Sequence, residues 1–188
     1  LIKKTLISEY SNIRSNGLNA IQLNEGDELV TVRQSCPGDE YIVVTKEGMA
    51  IRFTEDQVRN IGRNGQGVKA ISLDDQDQIV SMDIVKEDNY LLAITENGFG
   101  KMTELNKYKV QRRGGKGLIT YKINKKTGPL VSGKVVDKKD EIMMISQSGT
   151  IIRLETKDIS VLGRSTSGVK LMNIKDSNVV SVAKYLGE

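Results

Sequence analysis

Glycines recur along this chain with one period of about fifty residues, and this period is the strongest constraint on its fold. One series stands three positions after the hydroxyl residue that ends each of three short apolar runs: Gly48, Gly98 and Gly149. A second series steps by 50, 50 and 51 residues: Gly17, Gly67, Gly117 and Gly168. Because two independent markers share one period, the sequence predicts a repeat architecture with units the size of a four-stranded propeller blade.

The repeats consist of short strand-like segments. The apolar runs at 40–45, 89–95 and 141–146 are followed by turns that end in Glu-Gly, Asn-Gly or Ser-Gly, which are typical of tight hairpins. Helical repeats would instead place apolar residues three and four positions apart over longer stretches. Aromatic residues make up only 4% and Trp is absent, so the core must use Val, Ile, Leu and Met, which favours β-structure. We therefore expect an all-β, propeller-like fold.

The first complete repeat shows the expected order of elements. Its four strands are predicted at 41–45, 49–54, 67–73 and 78–85. A polar loop at 55–66 separates the second strand from the third and has room for one helical turn. The third repeat follows the same order, and its third strand is predicted at 168–174.

The repeats define the expected domain organisation. We expect one β-pinwheel domain over 1–188 with an incomplete set of blades: a partial blade at 1–36 and blades at 38–86, 87–137 and 138–188. Residues 1–36 match only the later part of a repeat. The chain is therefore expected to be a fragment of a longer protein.

The composition argues against a catalytic or metal site. His is absent, which removes the commonest general base and transition-metal ligand, and the single Cys36 cannot complete a zinc site. A lone cysteine indicates a reducing environment, and no apolar run approaches the roughly 18 residues of a membrane span. We therefore expect a non-catalytic, cytoplasmic module without metal or membrane contact.

Positive charge is concentrated in one segment. Nine basic and no acidic residues lie between positions 105 and 136, so the rest of the chain carries −5 although the whole carries +4. The centre of this segment is the basic heptad: Gln111, Arg112, Arg113, Gly114, Gly115, Lys116 and Gly117. Glycine lets backbone N–H groups approach an anion while Arg and Lys supply Coulomb attraction, so the heptad suits phosphate binding. A solvated loop without a ligand is the simpler interpretation.

Further basic residues recur in the other repeats. Some lie in loops at the phase of the heptad or beside it: Arg14, Arg63, Lys69, Lys107, Lys109, Lys122, Arg164 and Lys170. Others fall in the second arm of each hairpin, where a solvent-facing strand residue is the simpler interpretation: Lys4, Arg52, Lys101 and Arg153. One basic loop per blade would place charge around a rim, which predicts binding of double-stranded DNA through its phosphates. A P-loop is excluded because its Gly-Lys-Ser/Thr ending is missing.

The heptad, QRRGGKG, resembles the gyrase box of the C-terminal domain of the bacterial DNA gyrase A subunit. The segments at 2–5, 97–101 and 163–169 are also similar to that family, and the resemblance covers essentially all 188 residues. It implies a β-pinwheel in which adjacent blades exchange strands and duplex DNA wraps around the outer edge. Family discs usually have more blades than this chain, and their box lies most often in the first blade, whereas here it lies in the penultimate repeat.

The same resemblance implies a wider setting. In that family the wrap lets an A2B2 holoenzyme, formed with the gyrase B subunit, introduce negative supercoils with ATP. The breakage-reunion tyrosine, the ATPase, and the ATP and Mg²⁺ they use belong to other parts of the holoenzyme, so no catalytic residue or cofactor is expected in this chain. Two alternatives stay open: the related domain of the topoisomerase IV A subunit, and a propeller that binds an acidic protein partner.

Overall fold

The structure is a computed structural model, and it describes residues 1–13 and 15–185. Its regular structure is almost entirely β, as the repeat pattern predicts. The strands in the described residues are β1 (Glu40–Thr45), β2 (Met49–Thr54), β3 (Ile79–Ile84), β4 (Tyr90–Thr95), β5 (Phe99–Glu104), β6 (Leu118–Ile119), β7 (Leu130–Val136), β8 (Glu141–Ser146), β9 (Ile151–Glu155), β10 (Val169–Lys170) and β11 (Val179–Tyr185). Short 3₁₀ helices accompany them at Ile7–Tyr10, Glu55–Gln57, Leu105–Lys107 and Thr156–Asp158.

Each complete repeat begins with a β-hairpin whose turn is set by the first glycine series. β1 pairs with β2, β4 with β5, and β8 with β9. At the first turn the Gly48 N–H donates to the Thr45 carbonyl at 3.2 Å, and the φ of +86° at Gly48 is one that residues with a Cβ rarely adopt. The last strand of the repeat, β3, β7 or β11, then pairs with the first strand of the hairpin. The predicted hairpins are confirmed.

Adjacent repeats exchange strands. β6 comes from the second repeat and pairs with β2 of the first, and β10 comes from the third and pairs with β5 of the second. The three sheets therefore have the strand orders β3-β1-β2-β6, β7-β4-β5-β10 and β11-β8-β9. This exchange confirms the pinwheel arrangement. Because each four-stranded sheet includes one strand from the following repeat, a sheet does not coincide with a continuous fifty-residue segment.

The second glycine series marks the points where exchanged strands meet the preceding sheet. Gly117 stands before β6 with a φ of +79°, and a Cβ there would overlap the Ala50 carbonyl oxygen. At the equivalent point, a Cβ on Gly168 would lie 2.6 Å from the Gly100 carbonyl oxygen. A side chain is excluded at both positions because the backbones run directly against each other. The period in the sequence therefore records contacts between repeats.

The third strand of each repeat is shorter than the sequence predicts. Strands were expected at 67–73 and 168–174, whereas the structure has a single bridge at Val68 in the first case and the two-residue β10 in the second. After β10 the chain bonds instead to the preceding hairpin turn, where the Leu171 N–H donates to the Gly98 carbonyl at 2.8 Å. The predicted extent was wrong because these apolar residues pack under a turn and not in a sheet.

The core lies between successive sheets. In β1, Ile42 and Val44 contribute to a cluster shared with the second sheet, whereas Tyr41 and Val43 contribute to a cluster on the opposite face. β4 likewise sends alternate residues to the clusters on its two sides. Because both faces are buried, these strands are continuous apolar runs. The stacking brings β3, β7 and β11 together at an inner edge and leaves β6 and β10 at the outer edge.

Candidate nucleic-acid interface

Three loops run along the outer edge in the same way. Each loop begins just after a 3₁₀ helix and ends at the glycine before the next strand-like segment. Near its start it forms a parallel bridge with the preceding repeat. One hydrogen bond recurs in all three, at 2.8 Å each: the N–H groups of Ile61, Gln111 and Leu162 donate to the carbonyls of Lys4, Arg52 and Met102. We call residues 59–67, 109–117 and 160–168 the outer loops.

One arginine in each outer loop donates to the main chain near the loop before it. Its Nη1 binds a carbonyl oxygen in three equivalent pairs: Arg63 with Asn19 at 2.8 Å, Arg113 with Lys69, and Arg164 with Ile119 at 3.3 Å. Each donor stands four residues before a glycine of the second series, and each acceptor stands two residues after one. These contacts, which we call the arginine links, tie successive repeats together along the outer edge.

Within the basic heptad the three cations have different surroundings. Arg112 is exposed, and its side chain has no hydrogen bond or ion pair within residues 1–13 and 15–185. Arg113 is half-buried, and besides its link its Nε donates to the Gln57 carbonyl at 3.0 Å. Lys116 forms an exposed ion pair with Asp74 at 2.8 Å, a hydrogen bond that raises the pKa of Lys116. Arg112 is therefore free for an anion, Lys116 can exchange its partner, and Arg113 is used within the fold.

The uncharged residues of the heptad also serve the loop itself. The Gln111 carbonyl accepts a hydrogen bond from Gln57 Nε2 at 3.2 Å, and Gln111 Oε1 is buried without a partner among the described residues. The glycine content of the heptad suggested that its backbone N–H groups could bind a phosphate. The Gly114 N–H instead donates to the Ala70 carbonyl at 2.8 Å and is not free for an anion. Gly117 is required by the strand exchange. Backbone amides in this loop thus fix its position more than they offer an anion site.

The basic residues of the hairpin arms are not one equivalent series. Strand register places Arg52 and Arg153 opposite Ile42 and Met143, and in the second repeat this position is Met102. Lys101 lies one residue earlier, and a shift of one residue in a strand moves a side chain to the opposite face. Grouping Lys101 with the others was therefore wrong.

The true members of that series are each paired with a carboxylate. The ion pairs are Lys4 with Glu55, Arg52 with Glu40 at 2.5 Å, and Arg153 with Glu141. Arg52 also donates to the Leu105 carbonyl at 2.9 Å, and the Arg153 guanidinium lies 4.0 Å from the centre of the Tyr185 ring. These cations are neutralised locally, which fits the simpler interpretation of structural strand residues.

Lys101 is completely buried and anchors the third outer loop. Its Nζ donates to the carbonyls of Gly163 at 2.5 Å and Arg164 at 2.6 Å, and to Thr166 Oγ1 at 3.0 Å. Burial lowers the pKa of Lys101 to about 8, and the positive charge of Arg164 acts in the same direction. Its ammonium group is not placed to contact a phosphate, so the predicted surface role does not fit.

Two anchoring residues were missed by the sequence analysis. Lys3 donates to the Arg63 carbonyl at 2.6 Å, as Lys101 does in the third outer loop. Alignment on glycines would not have found Lys3, because Gly17 follows it by 14 residues whereas Gly117 follows Lys101 by 16. Gln57 holds the heptad, and its Oε1 accepts the Arg113 N–H at 2.7 Å. No residue type recurs at the position of Gln57, so no repeat signal marks it.

The remaining candidates are exposed cations near the same edge. In the part of the chain that the structure describes, four of them have no hydrogen-bonding or carboxylate partner for the side chain: Lys69, Lys109, Lys122 and Lys170. Lys107 lies 3.6 Å from Glu104, with both side chains exposed. Gly115 is exposed, and Arg14 lies outside the described residues. These lysines and Arg112 are exposed cations in or next to the outer loops, able to neutralise phosphates.

The chemistry available along this edge is anion binding. Within residues 1–13 and 15–185 no three His, Cys, Asp or Glu side chains are grouped as metal ligands. Over the same residues no helix is long and apolar enough to cross a membrane. The exposed ammonium and guanidinium groups can attract a polyanion, and their spacing along successive repeats favours an extended one.

A wheel of antiparallel sheets that exchange strands and carry a basic loop on each repeat is a β-propeller of the pinwheel kind with a positively charged rim. A family model described as "DNA gyrase C-terminal domain, beta-propeller" matches residues 1–36, 39–86, 89–137 and 140–184. The chain belongs to this family.

Curated relatives agree with this assignment. The chain is 49% identical over 185 residues to the DNA gyrase A protein of Clostridium acetobutylicum, covering 98% of this chain and 22% of that protein. It is 43% identical over 180 residues to the DNA gyrase A protein of Ureaplasma parvum, covering 96% and 21%. The chain thus spans about a fifth of the length of these relatives.

Two solved structures share the fold. The DNA gyrase A C-terminal domain superposes with a TM-score of 0.86 at 31% identity, covering 91% of this chain and 59% of that chain. The C-terminal domain of DNA topoisomerase IV superposes with a TM-score of 0.91 at 25% identity, covering 97% and 58%. The resemblance inferred from the heptad is confirmed at the level of the family.

Proposed function

We propose that this chain binds duplex DNA along its outer edge and bends it. The observation that carries the proposal is that the outer loops are fixed in one geometry on successive repeats, with unpaired cations beside them. Arg112, Lys109 and Lys122 lie in or after the second loop, and Lys170 follows the third. A duplex that follows the edge would meet one group of cations per repeat.

The energetics favour a curved path for the DNA. Smooth bending of 20–30 base pairs costs about 1–6 kcal/mol, and additional phosphate contacts along a curved basic edge recover that cost. Each neutralised phosphate releases counterions, so affinity should fall steeply with salt. The longest helix in the described residues has four residues, too short to read a major groove. Binding should therefore tolerate different base sequences.

In the setting of its family, the module would hold a wrapped segment for a larger enzyme. The wrap would fix the sign of the DNA crossing that an A2B2 assembly with gyrase B passes with ATP, introducing negative supercoils in the cytoplasm. Strand breakage and ATP hydrolysis would use other parts of that assembly, together with Mg²⁺. The chain itself would contribute binding and geometry. The intact heptad favours a gyrase over topoisomerase IV, whose C-terminal domain has the same fold.

A topology assay tests the proposal. Nicked circular DNA is saturated with the chain, sealed with ligase and freed of protein, and its linking number is compared with that of circles sealed alone. A wrapping module shifts the distribution, and Arg112→Gln reduces the shift at limiting protein. Lys139→Gln serves as the control, since Lys139 is an exposed lysine in the turn before β8 and outside the outer loops. Saturated binding without any shift would reject wrapping, and failure of the chain to bind the circles would favour a propeller that binds an acidic partner.

A further inference from the structure

The inner edge of the wheel holds a second positively charged site, away from the outer loops. A cavity of about 410 Å³ opens there between the ends of the inner strands. The charged side chains that line it are four cations and one carboxylate: Arg33, Lys86, Lys134, Lys184 and Asp83. This volume lies within the range of small-molecule sites, roughly 300–1,000 Å³.

The single carboxylate of the lining accepts three hydrogen bonds from the protein. Asp83 Oδ1 accepts hydrogen bonds from Arg33 Nε at 3.0 Å and from the Ile84 N–H at 3.1 Å. Its Oδ2 accepts from the Val135 N–H at 3.0 Å, a contact that joins β7 to β3. Asp83 therefore pairs with Arg33 and makes no hydrogen bond with Lys134.

Two cations of the cavity, Lys134 and the exposed Lys86, have no partner among the described residues, and Lys134 is the half-buried one. It occupies the position on β7 that Asp83 occupies on β3, since each lies opposite the equivalent residue of the adjacent strand. It is half-buried, and its Nζ has no hydrogen bond or ion pair within residues 1–13 and 15–185. Burial lowers the pKa of Lys134, Arg33 lowers it further, and Asp83 opposes both. Lys184 has its own partner, Asp140, at 2.5 Å.

We propose that this cavity binds a small polyvalent phosphate anion, such as pyrophosphate or the phosphate chain of a nucleotide. Lys134 and Lys86 would supply the unpaired charge. Arg33 already donates from Nε to Asp83 and from Nη1 to Thr31 and Val32, so its Nη2 group would be the donor to a phosphate oxygen. An anion would restore to Lys134 the charge stabilisation that burial removes. In each four-stranded sheet the inner strand is three positions away from the exchanged one, roughly 14 Å at the usual strand spacing. The site is therefore separate from the DNA edge.

Calorimetric titration with pyrophosphate at constant ionic strength tests the proposal. The wild-type chain should bind one equivalent saturably, and Lys134→Met should weaken binding at least about tenfold. Met keeps the length of the half-buried side chain, and removing a desolvated charge should not lower the unfolding temperature. Lys139→Met is the matched control and should bind like the wild type. If Lys134→Met does not fold, Lys86→Gln takes its place. Lys86 is an exposed residue of the lining, and its replacement should also weaken binding.

Several results would overturn the proposal. One is a pyrophosphate titration that does not saturate, and another is a folded Lys134→Met chain with unchanged affinity. A third is an equal loss of pyrophosphate affinity in Arg112→Gln, which would place the anion on the outer edge. A parallel titration with ADP identifies the source: tighter binding than pyrophosphate indicates a nucleotide, and equal or weaker binding indicates a free polyphosphate. Duplex affinity of Lys134→Met should stay within about twofold of wild type. The two proposals can thus fail independently.

Discussion

Replacement of the two adjacent arginines of the heptad should affect different properties: Arg112 the binding of DNA, and Arg113 the stability of the fold. Arg112 is exposed and unpaired among the described residues, so Arg112→Gln removes a phosphate contact and should reduce the slope of log K against log salt by about 0.9. Its unfolding free energy should change by no more than about 0.5 kcal/mol. Arg113 instead donates to the carbonyls of Gln57 and Lys69. Hydrogen bonds from charged groups contribute about 1.5–3 kcal/mol each, so Arg113→Gln should lower stability by roughly 2–4 kcal/mol after allowance for partial exposure.

Two measurements on the same protein samples separate these effects. Duplex affinity is measured for a labelled fragment of about 30 base pairs, a length of about three helical turns, across a series of salt concentrations. Stability is measured by urea unfolding, with Lys139→Gln as the control for loss of one positive charge. The assignment of roles is refuted if Arg113→Gln keeps its stability and reduces the slope as much as Arg112→Gln. It is equally refuted if Arg112→Gln is folded and its slope equals that of Lys139→Gln.

Three further outcomes follow from the same geometry. Gly117→Ala should lose more than about 2 kcal/mol in thermal unfolding, because of its positive φ and the overlap with the facing carbonyl, while Gly163→Ala, which meets nothing within 4 Å, should not. The pKa of Lys101 is lowered from 10.5 to about 8, so the unfolded chain binds more protons between these values. Stability relative to Lys101→Met should therefore rise with pH across that window in urea titrations. Asp74→Asn frees Lys116 and should raise duplex affinity a few-fold at low salt, measured by fluorescence anisotropy.

Alignment on glycines succeeded where alignment on charge did not. The fifty-residue period predicted the all-β fold and the hairpins because glycine stands where backbone atoms meet, at Gly117 as at Gly48. Charge gave a false equivalence for Lys101, since a lysine can stand on either face of a strand. Strand length was overestimated at 168–174 because a local apolar pattern does not say which partner a segment meets. The role of Gln57 depends on one contact between repeats and leaves no pattern in the sequence.

The outer loops also explain what distinguishes the heptad from its counterparts. The arginine link is common to all three loops, so Arg113 has equivalents in Arg63 and Arg164. Arg112 has none: counted from the second glycine series, its position is Gly62 in the first loop and Gly163 in the third. Lys116 also lacks a cationic counterpart, since its position is Gln66 in the first loop and Ser167 in the third. The heptad therefore adds two exposed cations to the shared geometry of the link, and Arg112 is the one without a partner among the described residues.

Transplanting that cation is the direct test. A Cβ at Gly163 meets nothing within 4 Å, and its carbonyl accepts hydrogen bonds from Lys101 Nζ and Thr166 Oγ1 without involving that open space. Gly163→Arg should therefore fold normally and place a second guanidinium on the outer edge. The slope of log K against log salt should increase by about 0.9 relative to Gly163→Gln, which adds an uncharged polar side chain at the same position. Equal slopes in two well-folded variants would show that this position lies off the path of the DNA, and that the edge does not act as one continuous track.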